Sequence, residues 1–187
     1  MKLIRFGKQG EEKPGILLSN DEKIDVSSFV SDYDEKFFES GGLVNLKDWL
    51  NENESSAPRL DDSIRLGSPI ARPSKIICIG LNFKDHAAES GFDAPEEPLI
   101  FGKATSAICG PYDNIIIPRG SEQTDWEVEL AVVIGKKTSY VDQDQASDHV
   151  GGYVLHNDVS ERAFQKDRGG QWIKGKSADT FAPMGPF

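Results

Sequence analysis

DWEVELAVVIG, residues 125–135, decides how the chain is read. Its β-branched run closing on a glycine predicts a strand, in which side chains alternate between faces with a period of two. Trp126, Val128, Leu130, Val132 and Ile134 fall on one face, with Glu127, Glu129, Ala131 and Val133 on the other. Both faces are apolar toward the far end, which is the pattern of a strand buried on both sides. The two glutamates share one face at the near end, about 7 Å apart by strand rise. Neighbouring carboxylates at the edge of a buried region repel each other and lose hydration, so they need cations or must take up a proton. A divalent metal would remove that cost. A solvent-facing strand end with two ordinary glutamates fits the same pattern.

Outward from this stretch, GYVLHNDVSERAFQ (152–165) reads as a buried strand running into a helix, with Asp158 at the junction. Strand ends of this kind often carry functional groups. Asp158 and Glu161 also match a capping box in which Asp replaces Ser, so a helix cap is the simpler account of Asp158 taken alone. Three oxygen ligands without cysteine or a histidine pair would favour Mg²⁺, Mn²⁺ or Ca²⁺ over zinc. In LNFKDHAAESG (81–91), His86 and Glu89 are three apart on a predicted short helix and so share a face. A carboxylate beside imidazole fixes its tautomer and raises its basicity, as a water-activating base requires; a surface ion pair has the same spacing. His149 and His156 have no suitably spaced partner and read as structural. Lys103 lies among Phe101, Gly102 and small residues, where a fixed positive charge could face a developing enolate. Arg162, Lys174 and Lys176 are further cations, and the segment 175–186 reads as an ordered loop.

The chain has 187 residues, an apolar fraction of 37%, 18 glycines and 10 prolines, which suits a β-rich, loop-rich protein. A net charge of −10 argues against nucleic acid, because phosphate binding needs a positive surface. Neither a basic cluster for anionic membranes nor a membrane-length apolar run is present. Cys78 and Cys109 are too far apart for a zinc or redox pair and suit a reducing, cytoplasmic setting. Nucleotide and serine-hydrolase motifs are missing. Residues 1–30 predict a meander of short strands, Asn45–Leu50 a short amphipathic helix, and 51–63 a linker or exposed loop. Composition changes near residue 70, dividing a small β-rich N-terminal domain (1–70) from the functional one (71–187).

Taken in order, IGLNFKDHAAE, PLIFGKATSAICGP, IIIPRGSEQTDWEVELAVVIGK, GYVLHNDVSERAFQ and QWIKGKSADTFAPMGP resemble the fumarylacetoacetate hydrolase family over roughly residues 73–187. The resemblance is strongest to bacterial members with a small N-terminal domain, among them ureidoglycolate lyases and 2,4-diketo-3-deoxy sugar-acid hydrolases. It implies an α+β, β-rich fold with a mixed β-roll, and a Mg²⁺ or Mn²⁺ site at Glu127, Glu129 and Asp158. It also implies a catalytic His86–Glu89 dyad on a lid helix, cationic substrate contacts from Lys103, Lys176 and Arg162, and a homodimer. The implied substrate is a small anionic keto acid. The implied reaction is hydrolysis of a C–C bond in a 2,4-dioxo acid, such as an acylpyruvate, through a stabilised enolate. Oxaloacetate decarboxylation and a ureidoglycolate lyase would use the same site, and a metal-free binding module is the alternative of another class. The family's domain continues past Phe187 to a Thr-Gly-Thr-Pro-like loop, so the C-terminal part of the catalytic domain is expected to be absent.

Overall fold

The computed structural model describes residues 1–83 and 96–187. Three short strands, β1 (Lys2–Phe6), β2 (Lys13–Leu17) and β3 (Lys23–Asp25), form the expected antiparallel meander. β4 (Leu66–Gly67) closes the other edge of β1, giving the order β3-β2-β1-β4. Alternation places Ile4 and Phe6 of β1, Ile16 of β2 and Ile24 of β3 in the interior. Helices α1 (Glu35–Glu39) and α2 (Gly42–Asn53) bring Phe37 and Leu46 onto a core that includes Ile16, Ile24, Val26 and Tyr33. Tyr33 is fully buried, and its hydroxyl donates to the Gly15 carbonyl at 2.8 Å, so burying the ring leaves no polar group unmatched.

The helix expected over 45–50 is longer at both ends, and the linker expected over 51–63 is partly helical. Gly41, at φ 77°, turns the chain directly from α1 into α2. Beyond Asn53, Ala57 is buried and the Asp25 amide donates to the Pro58 carbonyl. The polar letters of 51–56 mark the solvent face of an anchored segment. Arg65 joins β4 to the rest of the chain through Asp113, at 2.8 and 2.6 Å, and also reaches Glu12 at 2.9 Å.

From residue 76 the strands pair in twos. β5 (Ile76–Gly80) lies antiparallel to β6 (Leu99–Lys103), and β7 (Ile108–Cys109) runs parallel to β12 (Ala182–Pro183). β8 (Thr124–Asp125) pairs with β11 (Ser160–Glu161), and β9 (Val128–Ile134) with β10 (Val150–Asn157). Two short helices follow, α3 (Arg162–Lys166) and α4 (Ile173–Lys176). A core of Ala107, Val159, Phe181 and Ala182 lies beneath β7 and β12.

Two expectations for residues 125–135 change. The stretch is not one strand: regular pairing stops after Asp125 and resumes at Val128. Nor are both faces buried. Trp126, Val128, Leu130, Val132 and Ile134 are exposed, Leu130 by 65%, as are Tyr153 and Leu155 of β10. Among the described residues no element covers this apolar face; the opposite face is the one turned inward.

Where α4 meets β11, the approach is closer than a side chain allows. A Cβ on Gly175 would lie 2.4 Å from the Glu161 carbonyl oxygen and 2.7 Å from the Gln165 amide nitrogen. Gly175→Ala should therefore lower the denaturation midpoint by about 1–3 kcal/mol equivalent. Gly152→Ala, where nothing lies within 4 Å, should stay within about 0.5 kcal/mol of wild type. Equal effects would refute the close-approach argument. The Asp113 carboxyl is held below its ordinary value chiefly by the Arg65 hydrogen bonds. Because the folded value is the lower one, this stabilisation is complete above the ordinary 3.8 and is lost as pH falls through the depressed value. Asp113→Asn should cost about 2 kcal/mol at neutral pH and flatten the acid limb of a stability–pH curve measured by urea denaturation.

Candidate metal and keto-acid site

The gap in pairing between β8 and β9 places the functional groups. Opposite Trp126–Glu127 run Asp158–Val159, and two non-ladder hydrogen bonds hold the strands together there. The Asp158 amide donates to the Glu127 carbonyl at 2.9 Å, and the Glu127 amide donates to Asn157 Oδ1 at 3.1 Å. Glu127 and Asp158 are thereby held side by side. Glu129 lies one pleat further along the same face, half-buried, with His156 opposite it in register.

Two lysines converge on this pair from other elements. Lys103, the last residue of β6, places Nζ 2.5 Å from Asp158 Oδ1 and 3.0 Å from the Val159 carbonyl. Lys176, the last residue of α4, places Nζ 2.7 Å from Asp158 Oδ2 and 2.8 Å from Glu127 Oε2. Arg162 then reaches Glu127 Oε1 at 2.5 Å and Asp125 Oδ2 at 2.7 Å. Lys103, Asp158 and Lys176 are all buried. The result is a run of alternating charge, Lys103–Asp158–Lys176–Glu127–Arg162–Asp125, in which no member is left uncompensated.

The electrostatics follow from the order of the run. Burial pushes the Asp158 carboxyl up, but the ammonium groups of Lys103 and Lys176 outweigh it, so its pKa lies below the ordinary value. For Lys103 burial wins and its pKa is lowered, because it meets one carboxylate and has a second lysine nearby. Cys78, half-buried on β5, feels Asp158, Lys103, Lys176 and Glu129; burial is the main cause that pushes its thiol up to about 12. His156 is buried, with Nδ1 3.0 Å from the Pro183 carbonyl, and burial lowers its pKa. A neutral ring donating from Nδ1 satisfies that contact, and among the described residues Nε2 has no hydrogen-bond partner.

Asp158 is not a helix cap. Ser160 and Glu161 remain paired with β8, so α3 starts later and its cap is Glu161, which accepts from the Ala163 amide at 3.2 Å. The Glu161 carboxylate is fully buried and also accepts from Ser121, from Thr124 Oγ1 at 2.9 Å and from the Gln123 amide at 3.0 Å. It ties the segment leading to Glu127 to the turn after Asp158. Neither this role nor the closeness of Cys78 is visible in sequence spacing, because both depend on pairing across some 40 to 80 residues. His86 and Glu89 lie outside the described residues.

Among the described residues, no group of three or more His, Cys, Asp or Glu is arranged to hold a metal ion. Two of the three expected ligands, Glu127 and Asp158, do share a single bridging cation, the Lys176 ammonium. Paired carboxylate oxygens meeting at one cation are the donor type that a hard divalent ion takes, and in kind the residues fit Mg²⁺ or Mn²⁺.

The family pattern described as Fumarylacetoacetate (FAA) hydrolase C-terminal matches residues 75–187. A curated relative from Burkholderia ambifaria, provisionally named a hydrolase, is 50% identical over all 187 residues. The chain spans about 65% of that relative's length. A solved fumarylacetoacetate hydrolase from Exiguobacterium antarcticum superposes with a TM-score of 0.79 at 32% identity, covering 100% of this chain and 65% of the other. Maleylpyruvate hydrolase from Sphingobium sp. SYK-6, solved with manganese(II) and pyruvate, gives 0.78 at 25% identity, covering 100% and 66%. The strand-rich α+β architecture, the family pattern and these relatives agree: the chain belongs to the fumarylacetoacetate hydrolase family.

Proposed function

We propose that the chain carries the metal-holding part of a Mg²⁺- or Mn²⁺-dependent enzyme that cleaves a C–C bond in a 2,4-dioxo acid of the acylpyruvate type. The observation that carries this reading is the run of alternating charge around Glu127 and Asp158, buried at Lys103, Asp158 and Lys176. Burying those three ionised groups costs more than a structural role requires, since apolar residues of similar size would serve stability as well. Such a cluster is the arrangement expected where charge must be received. The similarity to a maleylpyruvate hydrolase solved with manganese(II) and pyruvate supports the same substrate class.

Glu127, Glu129 and Asp158 would hold the metal, which when bound would polarise the keto-acid oxygens and stabilise developing enolate charge. Lys103, fixed by Asp158 and the Val159 carbonyl, would place its ammonium from a buried position, where a fixed positive charge is worth more than at the surface. Lys176 supplies a second one from the opposite side. Arg162 braces Glu127 from behind and would meet substrate only by loosening its hold on Asp125. His86, oriented by Glu89, would take the proton from the attacking water.

Two substitutions test this. Glu127→Ala should abolish both Mn²⁺ binding, measured calorimetrically, and pyruvate release from an acylpyruvate. His86→Ala should keep Mn²⁺ affinity within about threefold and lower hydrolysis by about 10²–10⁴-fold. Undiminished hydrolysis in His86→Ala would remove that residue from the mechanism. Unaltered oxaloacetate decarboxylation alongside lost hydrolysis would assign the histidine to water activation alone.

A further inference from the structure

The two lysines at Asp158 are held differently, and the difference concerns how a metal could enter. Each carboxylate of the central pair already has one oxygen engaged on its outer side: Asp158 Oδ1 by Lys103, and Glu127 Oε1 by Arg162. The oxygens left to face each other, Asp158 Oδ2 and Glu127 Oε2, are the two that Lys176 holds. A cation shared by these carboxylates must therefore take the place that this ammonium fills. Lys103 keeps a backbone acceptor, the Val159 carbonyl, when Asp158 is claimed by another cation. For Lys176 the remaining contact among the described residues is the face of Phe101, 4.9 Å from Nζ to the ring centroid. That contact is compatible with movement of the head group about a fixed aliphatic stem.

We infer that Lys176 is an exchangeable internal counter-ion: it neutralises Glu127 and Asp158 in the metal-free protein, and an incoming divalent cation displaces it. This rests on the metal reading proposed above and adds to it a competition within the chain. Metal-free, the lysine keeps the buried Asp158 carboxylate and the half-buried Glu127 carboxylate from repelling each other. On displacement its charge is released beside the bound metal, where an anion that arrives with the metal can compensate it. A carboxylate-bearing substrate supplies that anion, so metal and substrate would each favour the other's binding.

The test uses the full chain, stripped of metal and titrated with Mn²⁺ by calorimetry and by the electron paramagnetic resonance signal of free Mn²⁺. Lys176→Met keeps the stem over Phe101 and removes the competitor, so it should bind Mn²⁺ at least about tenfold more tightly than wild type. Its metal-free form should melt lower, and saturating Mn²⁺ should close that gap. Lys176→Arg retains a competing charge and should show no such tightening. Equal or weaker Mn²⁺ affinity in Lys176→Met, with wild type binding normally, would overturn the exchange while leaving the metal reading intact. Mn²⁺ bound by none of the three proteins would overturn both. Should Lys176→Met not fold, the ¹⁵N resonance of the Lys176 ammonium in wild type, followed during Mg²⁺ titration, gives the same decision. Faster exchange of its protons as Mg²⁺ saturates supports displacement, and unchanged exchange refutes it.

Discussion

Asp158 keeps its charge inside the protein because two ammonium groups meet its two oxygens, one at 2.5 Å and one at 2.7 Å. Removing either lysine would strip Asp158 of one of its two cations and leave the cluster short of one positive charge. The rest of this half of the molecule is arranged around that constraint. β6 ends on Lys103, α4 ends on Lys176, and β10 runs out at Asn157, immediately before Asp158. The glycine before Lys176 lets α4 press against the Glu161 carbonyl, and so brings the lysine within reach. Three separate elements thus end where their charges meet.

The register shared by the flanking ladders sets Glu127 opposite Asp158, and residues opposite each other on antiparallel strands share a face. In continuous antiparallel pairing, successive side chains leave on opposite faces and backbone groups consume each other. Here Asn157 lends its side chain to the Glu127 amide, and the Asp158 amide takes the Glu127 carbonyl. The backbone stays satisfied while two carboxylates come alongside. Glu161, buried and fed entirely by hydroxyl and amide donors, clamps the segment before the gap to the turn after it. A buried carboxylate that accepts several such bonds remains ionised without a cation of its own, and its pKa is accordingly lowered against the effect of burial.

The inward and outward faces of β9 answer to different demands. The inward face, with Glu129, serves the site. The outward face is apolar and exposed among the described residues, and covering it would bury large side chains such as Trp126, Leu130 and Tyr153. The chain spans about 65% of the length of its curated relatives. The strand displays the residue pattern of a doubly buried element, while among the described residues its outward face is exposed.

Local periodicity determined the N-terminal meander, the facing of Glu127 and Glu129, and the strand leading to Asp158, because those features depend on neighbours two to four residues away. Family-like motifs over 73–187 set the fold, through an order of segments that composition alone does not contain. Helix and cap boundaries were less legible. The 51–56 segment looked polar because only its solvent face is, and Asp158 looked like a cap because the strand pairing of Ser160–Glu161 cannot be read from spacing. The lysines show the limit most clearly. The sequence marked Lys103 and Lys176 as cations among small residues, but nothing local says that they share one carboxylate. Lys103 and Asp158 are 55 positions apart in the chain, and Lys176 and Glu127 are 49 apart. Their attraction acts only once the chain has excluded water from between them, so tertiary structure alone decided that these charges meet.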